Sequence, residues 1–138
     1  MPQVRELMTK DPRTVQPTAS IVDAARLMRD EDTGIVPIAE GDGRLVGVVT
    51  DRDIAIRVIA EGKDPTSTKV TELTSQNVVT IDPQQDLDEA LRLMAQHQVR
   101  RLPVVEEDGK LCGILAQADV ARHAEPARTG RVVEEISE

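Results

Sequence analysis

Apolar side chains fall at Ile21, Ala24, Ala25, Leu27 and Met28, and the same spacing returns at Leu87, Ala90, Leu91, Leu93 and Met94. Recurrence at three and four residues puts each set on one face of a helix, so two helices with one buried side are expected. Each has a start signal: Ser20 lies three residues before Asp23, and Asp86 three before Glu89, the spacing of a capping side chain and a carboxylate. Short extended segments precede them, Arg13–Val15 and Val79–Ile81, each closed by a proline, Pro17 or Pro83. After each helix come two apolar runs, Ile35–Ala39 with Leu45–Val49 and Leu102–Val105 with Leu111–Leu115. Gly41-Asp42-Gly43 joins the first pair and Glu107-Asp108-Gly109 the second, which predicts hairpins. A further helix is expected from Thr50, carrying Ile54, Ile56, Val58 and Ile59, and from Ala116, carrying Val120 and Ala121.

The pattern is therefore written twice. Shifting the chain by 66 places aligns Val4 with Val70 through Ala55 with Ala121 without a gap, and 17 of the 52 pairs are identical. Each copy reads β-α-β-β-α, an α/β (α+β) fold built by internal duplication. The expected organisation is repeat 1 over residues 1–60, including an N-terminal helix, a linker over 61–69, repeat 2 over 70–124, and a tail over 125–138. The linker is polar, contains Gly and Pro, and has no hydrophobic period. The tail carries Val132, Val133 and Ile136 at a weak amphipathic spacing that fits a docked helix or a frayed end.

Composition narrows what this frame can do. With no Phe, Tyr or Trp, the core must be aliphatic, and no aromatic platform exists on which bases could stack. The net charge of -8 opposes binding to nucleic acid or to an anionic membrane. No run approaches a membrane span, and the first residues lack a secretory h-region, so a cytoplasmic protein is expected. One cysteine, Cys112, cannot form an internal disulfide, and with His97 and His123 it makes no credible metal cluster. Cys112 aligns with Val46 and reads as a small strand residue.

These residues resemble a known family. Gly47-Val-Val-Thr50-Asp51-Arg52-Asp53-Ile54, its counterpart Gly113-Ile-Leu-Ala116-Gln117-Ala118-Asp119-Val120, and Val99-Arg-Arg-Leu-Pro103-Val-Val are similar to the motifs of a tandem pair of CBS (cystathionine β-synthase) domains, the Bateman module. The resemblance spans residues 4–124 and extends to short stand-alone bacterial two-repeat proteins of the hypoxic-response type. It implies two repeats packed about a pseudo-twofold axis with two clefts between them, adenosine-containing ligands such as AMP, ADP, ATP or S-adenosylmethionine in those clefts, and pairing into homodimers. No cofactor is required.

By the same resemblance, one cleft would draw on Thr50, Arg52 and Asp53 together with Val79, Thr80, Arg100, Arg101, Leu102 and Pro103. The set is chemically coherent: a carboxylate accepts from both ribose hydroxyls, a guanidinium meets phosphate with two donors, and aliphatic groups clamp a base. The other cleft would use Asp119 with Thr14, Val15, Ile35 and Pro37. There Ala116 replaces the hydroxyl and no arginine stands where the second copy has Arg100 and Arg101, so that cleft is expected to be weak or empty.

Plain structural readings compete with each of these. Thr50-x-x-Asp53 is also a capping box that needs no ligand, although Asp119 persists where the cap hydroxyl is lost. Strand alternation puts Arg100 and Arg101 on opposite faces, with at most one, Arg101 by preference, turned inward, and Glu106 and Glu107 are possible partners. Gly47 and Gly113 would permit close backbone approach. No nucleophile with a His and acid partner, and no phosphate-cradling Gly-rich loop, is present. A non-catalytic ligand sensor acting on an unknown protein partner is expected, with a ligand-free dimerisation or interaction protein as the alternative.

Overall fold

In the computed structural model, which describes residues 2–74 and 78–123, the chain forms two compact units whose limits differ from those of the repeats. One unit spans residues 13–78, and the other combines residues 1–12 with 79–138.

In the first unit, helix α2 (Ile21–Glu31) starts on the expected cap: Asp23 N–H donates to Ser20 Oγ and Ser20 N–H to the Asp23 carboxylate, both at 3.1 Å. It ends where Asp32 takes the left-handed conformation, with φ 50°. Strands β2 (Ile35–Ala39) and β3 (Leu45–Thr50) form an antiparallel hairpin. The segment before α2 contributes one bridge, Val15 beside Ile38, rather than a full strand. Helix α3 (Asp51–Ile54) widens over Ala55–Ile59 into π geometry, which buries Val58 and leaves Ile56 and Ile59 exposed. The core gathers Ile21, Ala24, Leu27, Met28, Val36, Ile38 and Val49 with Val58, Val70 and Leu73.

Residues 61–69 are not a loose connection. The first N–H groups of a helix have no partner within it, and here Ile21 N–H finds the Thr68 carbonyl at 2.9 Å and Val22 N–H the Pro65 carbonyl at 3.2 Å. Thr68 is buried, its hydroxyl donating to the Asp64 carbonyl at 2.8 Å.

The second unit repeats the plan with α4 (Leu87–His97), β4 (Arg101–Val105), β5 (Leu111–Ala116) and α5 (Gln117–His123). Asp86 caps α4, accepting from Glu89 N–H at 2.9 Å, but Glu89 turns to Arg92 instead of completing the box. Again a single bridge, Ile81 beside Val104, stands for the first strand. The two hairpin turns show which position needs glycine: Gly43 and Gly109 both have positive φ, at 92° and 88°, whereas Gly41 is matched by Glu107 without penalty.

The chain's opening residues pack here, not with the repeat they precede. Short α1 (Val4–Leu7) donates from Val4 N–H to the Gln85 carbonyl at 2.8 Å and from Arg5 N–H to the Pro83 carbonyl at 3.0 Å. Strand β1 (Thr9–Lys10) then pairs antiparallel with β5, giving the order β1-β5-β4. Val4 is wholly buried in this unit's core with Ile81, Met94, Leu102, Val104 and Leu115. The counterpart segment of the second copy does the reverse, since Val70 N–H donates to the Ala19 carbonyl at 2.9 Å in the first unit. Each unit thus carries the lead-in of the other repeat.

That exchange explains two glycines. A β-carbon on Gly47 would lie 2.8 Å from Thr74 Cγ2, and one on Gly113 would meet the Met8 side chain and lie 2.9 Å from the Thr9 carbonyl oxygen. Thr74 and Met8 are equivalent residues of the two lead-ins, 66 places apart. Both glycines admit a neighbouring chain segment of their own unit.

Candidate functional site

The strand-to-helix junction of the first unit is a complete capping box. Thr50 occupies the N-cap with extended backbone, Asp53 N–H donates to Thr50 Oγ1 at 3.1 Å, and Thr50 N–H donates to Asp53 Oδ2 at 3.2 Å. Thr50 Oγ1 acts there as an acceptor, so its own proton remains available to a ligand. The second carboxylate oxygen, Asp53 Oδ1, lies 4.0 Å from Arg57 Nη1, which also donates to the Leu73 carbonyl at 2.7 Å. The Asp53 side chain is 30% exposed. Asp51 N–H closes onto the Gly34 carbonyl at 2.9 Å, and its carboxylate lies against Gly34. Arg52 is exposed.

The second junction differs in substance. Asp119 is 12% exposed and both of its oxygens are engaged: Oδ2 accepts from Ala116 N–H at 2.9 Å, and Oδ1 pairs with Arg122. Its persistence beside Ala116 therefore has a structural cause, because the carboxylate half of a cap works without the hydroxyl half. Asp119 does not by itself point to a ligand. Arg57 and Arg122, one turn beyond their carboxylates, are partners that the four- and three-residue spacing already made readable.

The arginines also depart from expectation. Arg100 and Arg101 are both exposed, and both border one pocket of about 360 Å³ with Ala116, Gln117, Ala118 and Ala121. Alternation fails at Arg100 because it lies before β4, in a bend whose carbonyl accepts from Gln117 N–H at 2.8 Å. Only Arg101 is in the ladder, opposite Ala116. Among the described residues neither guanidinium forms an ion pair, with Glu106, Glu107 or any other carboxylate. Gln117 and Ala118, absent from the expected set, complete the pocket; Gln117 occupies the place of Asp51 in the repeat alignment.

The remaining expected contacts divide by burial. Leu102 is wholly buried in the second unit's core and offers no side-chain surface to a ligand, because β4 turns it toward Met94 and Leu115 and not outward like Arg101. Pro103 and Pro37 are buried, their carbonyls accepting from Ile81 N–H and Val15 N–H at 3.1 Å. Thr14 and Thr80 are exposed, whereas Val15, Ile35 and Val79 are half-buried. In the first unit Ile35 faces Thr50 across the hairpin.

Cys112 donates weakly to the Val104 carbonyl at 3.4 Å. Burial, reinforced by the carboxylates of Glu106, Asp82 and Asp11, pushes its thiol above the usual value. Since the thiolate is the nucleophile, alkylation of Cys112 by iodoacetamide at neutral pH should be slower than that of free glutathione and should accelerate only in alkaline buffer. A rate equal to glutathione's would mean that the side chain is not held as described.

A model described as the CBS domain matches residues 4–60 and again 70–125. The chain belongs to the CBS-domain family. Hypoxic response protein 1 of Mycobacterium tuberculosis is 39% identical over 123 residues, 89% of this chain and 85% of that protein. A crystal structure of Hypoxic Response Protein I with two coordinated zinc ions superposes with a TM-score of 0.83, covering 90% of this chain and all of that one at 38% identity. Among the described residues here, no three His, Cys, Asp or Glu side chains stand together as metal ligands would. CBSX2 in complex with AMP gives a TM-score of 0.76 at 31% identity, covering 88% of this chain and 94% of that one. The CBS domain pair of protein MJ0100, in complex with 5′-methylthioadenosine and S-adenosyl-L-methionine, gives 0.79 at 27%, covering 88% and 98%. Two CBS repeats of mixed helix and strand are thus the fold. No helix among the described residues is long and apolar enough to cross a membrane.

Proposed function

We propose that this CBS pair is a non-catalytic regulatory sensor, acting as a homodimer, that binds an adenosine-containing ligand and passes the binding event to a protein partner. The observation that carries the reading is the Thr50–Asp53 junction: a hydroxyl with its proton free and a partly exposed carboxylate, one oxygen of which is only loosely held by Arg57. A ribose diol is a fitting partner for that carboxylate, through charge-assisted hydrogen bonds. That CBS pairs of related sequence hold AMP, or methylthioadenosine and S-adenosylmethionine, supports the ligand class. Thr80, Val79 and Arg101 of the other unit remain candidate ligand residues that the resemblance implies, and Leu102, wholly buried, is withdrawn. A switch of this kind works only through unequal affinity of the ligand for two states of the protein.

Calorimetric titration with AMP, ADP, ATP and S-adenosylmethionine tests the reading. At least one should bind, and Asp53→Asn should weaken it by about 10- to 100-fold, the loss expected when hydrogen bonds to a charged acceptor are removed. The asparagine retains an acceptor for Thr50 N–H, so the melting temperature should hold. Absence of heat with all four ligands would instead favour a ligand-free interaction module, the reading to which the internally satisfied capping box lends weight.

A further inference from the structure

The sequence that follows α5 has its charges in order. Residues 124–138 lie outside the described residues but belong to the same unit as β4, β5 and α5. Their two bases, Arg128 and Arg131, come before Glu134, Glu135 and Glu138, which have no base among them. Val132, Val133 and Ile136 are interleaved with those acids. A segment of that make-up is matched by a surface with cations at its edge and apolar groups beside them.

The pocket of about 360 Å³ in the same unit has that character. Ala116, Ala118 and Ala121 supply apolar wall, and among the described residues neither Arg100 nor Arg101 pairs with a carboxylate. The acid of that junction, Asp119, is held by Ala116 N–H and Arg122. Reach is no obstacle. Helix α5 has 7 residues, a length of roughly 10 Å, and lines the pocket from Gln117 to Ala121. The chain from His123 to Glu134 can extend over about 30 Å, and Pro126 and Gly130 favour breaking a helix and turning back. The equivalent junction of the first unit lacks the match, since Gly34 stands in the place of Arg100, Ile35 in that of Arg101, and an acid, Asp51, in that of Gln117.

We propose that residues 132–138 dock in this pocket of their own unit, with their acids on Arg100 and Arg101 and their apolar side chains against the alanines. Carboxylates match the guanidinium fork with charge-assisted hydrogen bonds. The tether holds the segment at an effective concentration on the order of millimolar, so a contact that would be weak between separate molecules fills the pocket here. The docking is autoinhibitory: while the segment is in place, the pocket is closed to any other anion. It needs no ligand and does not rest on the adenosine reading.

Thermolysin, which cuts before bulky apolar residues, tests this on the full chain, with cleavage before Val132, Val133 and Ile136 followed by mass spectrometry and the fold checked by circular dichroism. A docked segment must leave the pocket before it is cut, so the wild type should be cleaved there at least about tenfold more slowly than the Arg100→Glu, Arg101→Glu variant. The tail variant Glu134→Arg, Glu135→Arg should also be cut fast, and joining all four substitutions should restore protection relative to that tail variant, whose cleaved sequence is the same. Protection should fade in about 1 M salt, where charges are screened within about 3 Å. Equal rates in the wild type and the pocket variant, or no restoration in the fourfold variant, overturn the docking. Protection that is unchanged by salt overturns its charge pairing, and protection that disappears on dilution overturns the intrachain contact in favour of a second copy's segment.

Discussion

Gly113→Val should destabilise the unit of residues 1–12 and 79–138 by about 3 kcal/mol, the upper end of the usual cost of overpacking. The added β-carbon would meet the Met8 side chain and lie 2.9 Å from the Thr9 carbonyl oxygen. Met8 can swing away; the carbonyl cannot, because Thr9 and Lys10 are paired with Ile114 and Gly113 in the ladder. Gly47→Val meets only side-chain atoms, Thr74 Cγ2 and Cβ, and no backbone atom, so its cost should be smaller. Gly41→Ala, with nothing within 4 Å, is the control. With no Trp or Tyr to report unfolding, urea titration followed by far-ultraviolet circular dichroism is the suitable measurement. A Gly113→Val midpoint equal to that of Gly41→Ala would show that β1 is not seated on β5.

The same contact marks where sequence reading stops. Helices α2 and α4 and both hairpins were legible because their information is local: apolar spacing, a cap three residues from an acid, and glycine where φ turns positive. The exchange of lead-ins was not. Val4-Arg5-Glu6-Leu7 and Val70-Thr71-Glu72-Leu73 are nearly the same segment, and either would satisfy either core, so nothing local says which sheet each joins. Gly47 and Gly113 announced that something comes close without saying what.

At the candidate site the capping geometry is legible in the sequence: the box formed by Thr50 and Asp53 follows from their spacing. Their candidacy as ligand residues, like that of the arginines, rests on the family resemblance. Alternation misplaced Arg100, because the rule applies only inside a ladder and the ladder begins at Arg101. Asp119 stands where the cap hydroxyl is missing, and the bond that holds it comes from the Ala116 backbone N–H, which every residue type except proline supplies. The engagement of Asp119 by Arg122 also shows why two junctions with the same aspartate need not be equivalent. Asp119 has each oxygen in a close hydrogen bond and is 12% exposed, whereas Asp53 has one oxygen 4.0 Å from its cation and is 30% exposed.

Leu102→Ala should cost about 2–5 kcal/mol, the range for deleting a fully buried leucine. Leu102 has no exposed surface and packs within the cluster of Ile81, Leu87, Met94, Val104 and Leu115, so truncation leaves a cavity in a core that has no aromatic residue to fill it. Leu102→Met, which nearly conserves volume, should cost less than about 1.5 kcal/mol. The comparison separates two roles for one position. Were Leu102 a clamp for an adenine base, alanine would weaken binding at unchanged stability. As a core residue, it should lower the unfolding midpoint first, and the fraction that remains folded should bind with wild-type affinity. Measuring the urea midpoint and the calorimetric affinity on the same preparation distinguishes them, and Thr80→Ala, exposed and outside the core, should show the opposite pattern if the adenosine reading holds. A selective loss of affinity in Leu102→Ala, with its midpoint intact, would return Leu102 to the site and require β4 to present a different face.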